Sequence, residues 1–244
     1  MEKHESTEMT VASPGEMVKR IAEVFGAPEA TVTLHDRNLA DAGLRTKGGR
    51  GRSAAKMTAS DAANLLMAVA GSSMVKDAVQ TVRDYSVLPS RGGEVSIRKD
   101  AHSFSNNGNP PSSWNLADFP IPALQALPPD HTFRDALVGL IDAAADGSLR
   151  EAVKNLRPFS EEHRILSHWA IEVILWGPYP QAAIRIYCHD FSEKHHYSAI
   201  PTEMDAIMKW SKELEADRDS NGDLRQIREF SAKTILAVGD LLKN

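Results

Sequence analysis

The sequence predicts a mostly helical α+β protein of two units, a helical N-terminal domain over 13–88 and a C-terminal α+β domain over 131–244 built around a small antiparallel hairpin or sheet. Three observations predict it. Apolar residues recur at helical spacing behind capping signatures at Ser13 and Thr58. Two β-rich runs, Ala170–Trp176 and Ala182–Cys188, flank a cluster of turn residues. Between the halves, 89–130 is rich in Pro, Ser, Asn and Gly, with SNNGNPPSS at its centre, and such a long loop inside one compact domain is unusual, so it reads as a linker.

Residues 1–12 are polar, without periodicity, and read as a disordered tail. Ser13-Pro-Gly-Glu16 is a capping box with Pro at the first helical position, Met17, Ile21, Val24 and Phe25 follow at helical spacing, and Gly26 offers a left-handed stop. Pro28 opens a second helix through Val32, Leu34 and Leu39 toward Ala42, stopped by Gly43. Leu44–Lys56, with three glycines and five basic residues, buries little and is an exposed loop or β-wing. Thr58-x-x-Asp61 caps a third helix with the stripe Ala62, Leu65, Leu66, Val69. Gly71–Ser73 interrupts it, and Met74, Ala78 and Val82 carry a further helix to about Tyr85.

In the second half, Thr132–Ala145 (Phe133, Leu137, Leu140, Ile141) is an amphipathic helix, and Leu149–Leu156 is another. The two β-rich runs, joined by Gly177, Pro178, Tyr179 and Pro180, form a hairpin. Thr202–Glu215 and Asp223–Leu242 are the closing helices, the second carrying Ile227, Phe230, Ile235, Leu236, Val238 and Leu241.

Composition excludes a membrane-spanning role, because no apolar run approaches the ~20 residues that a transmembrane helix needs. The N-terminus has neither a signal-peptide core nor a transit-peptide character, and the single cysteine, Cys188, rules out an intramolecular disulfide, so a cytoplasmic protein is expected. Charge is more informative when divided along the chain. Arg37 to Lys56 holds six basic residues (Arg37, Arg45, Lys47, Arg50, Arg52, Lys56) against Asp41, a local +5 within a net charge of −5, which leaves −10 on the remainder. One compact basic segment on an acidic body is the distribution expected when one face meets phosphates.

The first two helices carry the residue sizes of a helix-turn-helix: small Ala22 at the crossing, Gly26 in the turn, and Ile21, Phe25, Ala27 and Val32 at supporting positions. His35 stands where an aliphatic residue is usual. With Gly43-Leu44, then GGRGR, then Thr58-x-x-Asp61, residues 22–66 resemble the head of MerR-type winged helix-turn-helix regulators, over about a fifth of the chain. The chain departs from them where Gly71 breaks the long following helix, and its organisation is similar to compact regulators of temperate phages. The resemblance implies a winged head with the second helix in the major groove, Thr31, Thr33, Arg37 and Asn38 facing bases or phosphates, Arg50 and Arg52 reaching phosphates or the minor groove, and Arg45, Lys47 and Lys56 adding phosphate charge.

Other chemistry is weakly signalled. Gly49, Gly51 and Ala54 satisfy a dinucleotide fingerprint, but the buried strand that must precede it is absent, and there is no Walker lysine. Cys188, His189, Asp190, His195 and His196 are zinc-ligating residue types at a spacing that matches no standard site, and a strand-end cysteine beside exposed histidines explains them more simply, so no metal or cofactor is expected. No G-x-S-x-G, H-E-x-x-H or C-x-x-C is present. The reading is therefore a sequence-specific transcriptional regulator of the phage type, repressor or activator, that binds double-stranded DNA as a homodimer. Ile235, Leu236, Leu241 and Leu242 are candidates for the dimer contact, with an intramolecular core as the simpler explanation. The alternatives are a protein-binding adaptor acting through the Pro/Asn segment and an enzyme with a C-terminal site.

Overall fold

The structure, a computed structural model, describes residues 12–48, 55–99, 102–105, 114, 121–155, 169–188, 191–201, 203–221 and 225–243. Ser13 caps helix α1 (Pro14–Phe25) through the expected box: its hydroxyl accepts from the Glu16 N–H, and the Glu16 carboxylate accepts from the Ser13 N–H at 2.8 Å. Gly26, at φ +63°, ends α1, and α2 (Glu29–Asp41) begins after Pro28. The same capping chemistry starts α3 (Ala59–Gly71) at Thr58 and Asp61. A single 3₁₀ turn at Val75–Asp77 leads into α4 (Ala78–Ser86).

The segment that reads as a linker builds structure instead. It supplies β1 (Ser90–Lys99), β2 (His102–Ser105) and the short α5 (Pro122–Gln125), and Trp114, Ile121 and Leu124 are buried. There follow α6 (Phe133–Ala145), α7 (Ser148–Asn155), the hairpin β3 (Ala170–Gly177) and β4 (Gln181–Cys188), then β5 (Phe191–Ser198) and α8 (Met204–Asn221). The last predicted helix divides in two, β6 (Gln226–Ser231) and α9 (Ala232–Leu242). The spacing of Ile227 and Phe230 suits either element, and pairing with β3 decides it: Phe230 faces Val173 on the covered side, while Ile227 lies opposite Trp176 and is exposed.

All described strand pairs are antiparallel, in the order β2-β1-β5-β4-β3-β6. The result is a mixed α/β fold whose sheet is larger than the expected hairpin. One face of the sheet is covered by helices, with α3 and α9 against β3 and β6, α6 against α3 and α9, and α1 against α9. A single cluster of buried apolar side chains runs from Ala12 and Met17 through Leu65, Phe133 and Ile184 to Val238, so burial does not divide the chain at 89–130. Ala12, the last residue of the expected tail, is itself buried, and residues 1–11 lie outside the described residues. Ile235 is fully buried, and Leu236, Leu241 and Leu242 pack against the same core, which gives these four an intramolecular role.

Candidate nucleic-acid interface

The α1–α2 pair is held by side chains at the spacing that the sequence offers. Met17, Ile21 and Ala22 on α1 and Val32, His35, Asp36 and Leu39 on α2 are buried, the latter an i, i+3, i+4, i+7 stripe with two polar members. The Ala27 N–H donates to Ala22 O at 3.0 Å and closes the turn at Gly26, Ala27 and Pro28. Burial pushes the His35 imidazole pKa below its ordinary value, and its Nδ1 has no hydrogen-bond partner.

Asp36 is satisfied by a designated cation. The Arg45 guanidinium donates from Nε to Asp36 Oδ1 and from Nη2 to Oδ2, both at 2.9 Å, and from Nη1 to the Thr46 carbonyl at 2.9 Å. The side chains are only 13% and 8% exposed, so this fork-to-fork pair is a fixed joint between α2 and the chain that follows it. Beyond it, one carboxylate gathers both ends of the basic loop. Asp61 Oδ1 accepts the Thr46 N–H at 2.7 Å, and Oδ2 accepts the Thr58 N–H at 2.9 Å and its hydroxyl at 2.8 Å. Asn64 secures the same base, donating to Leu44 O at 2.7 Å while its own Oδ1 accepts from Arg134 Nε at 3.1 Å. The Met57 N–H bonds Ala12 O, which ties the returning strand of the loop to the start of α1.

The predicted contact residues fall into three groups. Arg37, Lys47 and Lys56 are exposed, and Thr31 and Thr33 are half-buried on α2, with the Thr33 hydroxyl donating to Glu29 O at 2.8 Å. Arg45 and Asn38 are engaged within the fold, Arg45 by Asp36 and Asn38 by donation to Val75 O at 2.9 Å. Arg50 and Arg52 lie outside the described residues, as does the tip of the expected wing. On α2 the exposed charges are mixed, Arg37 beside Glu29 and Asp41, so positive charge at this surface comes from the loop. With Arg45 neutralised by Asp36, the loop offers Lys47, Arg50, Arg52 and Lys56.

The histidine-rich segment is β5, and strand alternation separates its members. His195 points into the core opposite Ile184, and the adjacent His196 takes the other face, so the two cannot converge on one ion. His189 and Asp190 lie outside the described residues, and among the described residues no group of three or more His, Cys, Asp or Glu could hold a metal ion.

The inward face of β5 is a polar array that sequence reasoning missed: Glu193, His195 and Tyr197 are all fully buried. Glu193 Oε1 pairs with His195 Nε2, the His195 ring stacks on Trp114 at 3.6 Å between centroids, and Tyr197 Oη meets His131 Nε2 at 3.1 Å. Gly93 on β1 leaves room for the His195 ring, because a Cβ there would stand 2.7 Å from Nε2. Burial lowers the His131 pKa and raises that of the Tyr197 phenol.

No family model matches the chain, and no curated protein or solved structure matches it. Among the described residues, no helix is long and apolar enough to cross a membrane.

Proposed function

We propose that this protein is a sequence-specific regulator that binds double-stranded DNA, with α2 entering the major groove and the basic loop 47–56 gripping the flanking backbone. The observation that carries the reading is the pairing of a tight α1–α2 turn with a basic loop whose two ends are pinned beside α2 by Asp36 and Asp61. A helix of mixed charge reads groove edges without holding the duplex, and the loop cations supply the phosphate attraction that α2 lacks. Thr31, Thr33, Leu34 and Arg37 are the side chains of α2 available for base edges or phosphates; Leu34 is 48% exposed, an apolar group free to meet a thymine methyl. The winged head and a homodimer on a two-fold operator belong to the same proposal.

Fluorescence anisotropy against mixed-sequence duplex DNA at several salt concentrations tests it. Four loop phosphate contacts give a slope of about −3.6 in log K against log salt, and Arg50→Ala/Arg52→Ala brings it to about −1.8. Absence of binding at low salt refutes the reading. Operator selection on the wild type then gives the sequence, and sedimentation of the complex gives the number of copies bound.

A further inference from the structure

We infer that the β6 edge of the sheet is the surface on which two copies of this chain join, strand against antiparallel strand, about a two-fold axis at Ile227. The inference rests on the homodimer in the reading above and gives it a surface. Ile235, Leu236, Leu241 and Leu242 belong to the core of one chain, so the contact between copies lies elsewhere.

β6 ends the sheet order and pairs with β3 alone, so its other edge has no ladder to join among the described residues. Free N–H and C=O groups in such a row are a template for a further strand. The side chains on the outward face of this edge are also unmatched. Ile227 is 66% exposed, and Arg225 and Glu229 on either side of it are exposed and form no ion pair among the described residues.

These residues complement themselves in one register. Side chains directly opposite each other in an antiparallel pair share a face, so a two-fold axis through a residue sets outward groups against outward groups. Centred on Ile227, the two copies of that isoleucine meet, and Arg225 of each copy stands opposite Glu229 of the other. On the covered side, Gln226 of each copy stands opposite Arg228 of the other. An inward-pointing charge commonly protects an edge from pairing, but Arg228 Nη2 already donates to Gln226 Oε1 at 2.9 Å, and the same two residue types meet across the axis. Centred on Arg228 or Glu229, like charges would meet at the axis, and axes nearer either end of β6 pair fewer residues. Space lies alongside the strand: a groove of about 460 Å³ runs between β6 and the end of α1, lined by Phe25, Ala27, Arg228, Glu229 and Phe230. α1 packs on α9 over the covered face, so the joined sheet carries both α1–α2 pairs on one side, as two half-sites on one duplex require.

Sedimentation equilibrium of the full chain without DNA, over a range of concentrations, tests the surface. The wild type is expected to form dimers. Ile227→Lys, at an exposed position where circular dichroism confirms an unchanged fold, abolishes them. Arg225→Glu creates two like-charge pairs and weakens association about tenfold. Arg225→Glu combined with Glu229→Arg restores opposite charges across the axis and recovers it, which loss of fold would not allow. Ile227→Cys in a Cys188→Ala background gives a covalent dimer under oxidising conditions, because the two copies of the residue meet on the axis. A wild type that stays monomeric, a dimer indifferent to Ile227→Lys, or slow amide exchange at 226–230 in the Ile227→Lys monomer, the mark of an edge covered by its own chain, overturns the inference. Duplex binding by a chain whose dimer ignores Ile227→Lys removes this surface and keeps the DNA reading. A dimer broken by Ile227→Lys in a chain that binds no duplex keeps the surface and removes the DNA reading.

Discussion

Gly239 on α9 should be intolerant of the smallest side chain, although alanine is the better helix former. A Cβ at this position would stand 2.4 Å from the Ala144 Cβ, 2.7 Å from the Ala144 carbonyl carbon and 2.9 Å from the Ala145 nitrogen, all on α6. Two of the three atoms are backbone, so no rotamer change relieves the contact, and α9 must lift from α6. Overpacking of this kind costs up to about 3 kcal/mol, against a gain of about 1 kcal/mol from replacing glycine inside a helix. The net loss of about 2 kcal/mol lowers the melting temperature of a protein this size by about 4–8 °C. Gly15→Ala in α1 is the matched control: nothing lies within 4 Å of its Cβ position, and about 0.5–1 kcal/mol of stabilisation is expected. Thermal melts of the two variants beside wild type decide the matter. A Gly239→Ala protein that melts at or above wild type refutes the argument that α6 and α9 touch through backbone at this point.

Two further outcomes follow from buried polar groups. His35 has its pKa lowered by burial from an ordinary value of 6.5, so the unfolded chain binds its proton more readily than the folded one. Its contribution is therefore present above about pH 6.5 and is lost as the pH falls below it; urea midpoints between pH 8 and 5 should decline less steeply in His35→Leu, and an equal decline would show that His35 takes no part. Tyr85 donates to Trp176 O at 2.7 Å, and its phenol is pushed up to about 12, first by burial and then by Asp84. Because its folded value lies above the ordinary 10.0, its contribution is present below pH 10 and is lost as the pH rises through 12. Tyr85→Phe should lose about 1 kcal/mol at neutral pH and the corresponding late step in an alkaline phenol titration; retention of that step would assign it to another tyrosine.

The elements legible in the sequence are those whose cause is local. Ser13 with Glu16 and Thr58 with Asp61 cap their helices within one turn of chain, Gly26 ends α1 through its own backbone freedom, and the β3–β4 hairpin announces itself by two apolar runs around Pro178 and Pro180. Elements that depend on a distant partner were not legible. β6 is a strand because β3 offers it an edge, and β1 is a strand because β5 does, although Ser90–Gly93 carries turn residues and an irregular register. Pattern reasoning sees neither partner, so it extends α9 backwards through β6 and reads β1 as linker.

The deeper failure has one cause in two places: a buried face that is polar. On β5 the inward residues are Glu193, His195 and Tyr197 and the intervening Ser192, Lys194 and His196 are polar as well, so the alternation that marks a half-buried strand is erased, and the segment reads as an exposed cluster of metal-ligating types. On α2 the inward stripe includes His35 and Asp36, which weakens the apolar periodicity and makes His35 look like a defect in a helix-turn-helix. Burial of Asp36 demands a cation. That demand fixes Arg45, nine residues on, and removes one charge from the basic segment whose +5 first suggested a phosphate-binding face. What remains is a loop of smaller free charge than composition implies, whose described ends are held by short-range chemistry that no periodicity reveals: Asn64 on Leu44, Asp36 on Arg45, and Asp61 on Thr46 and Thr58.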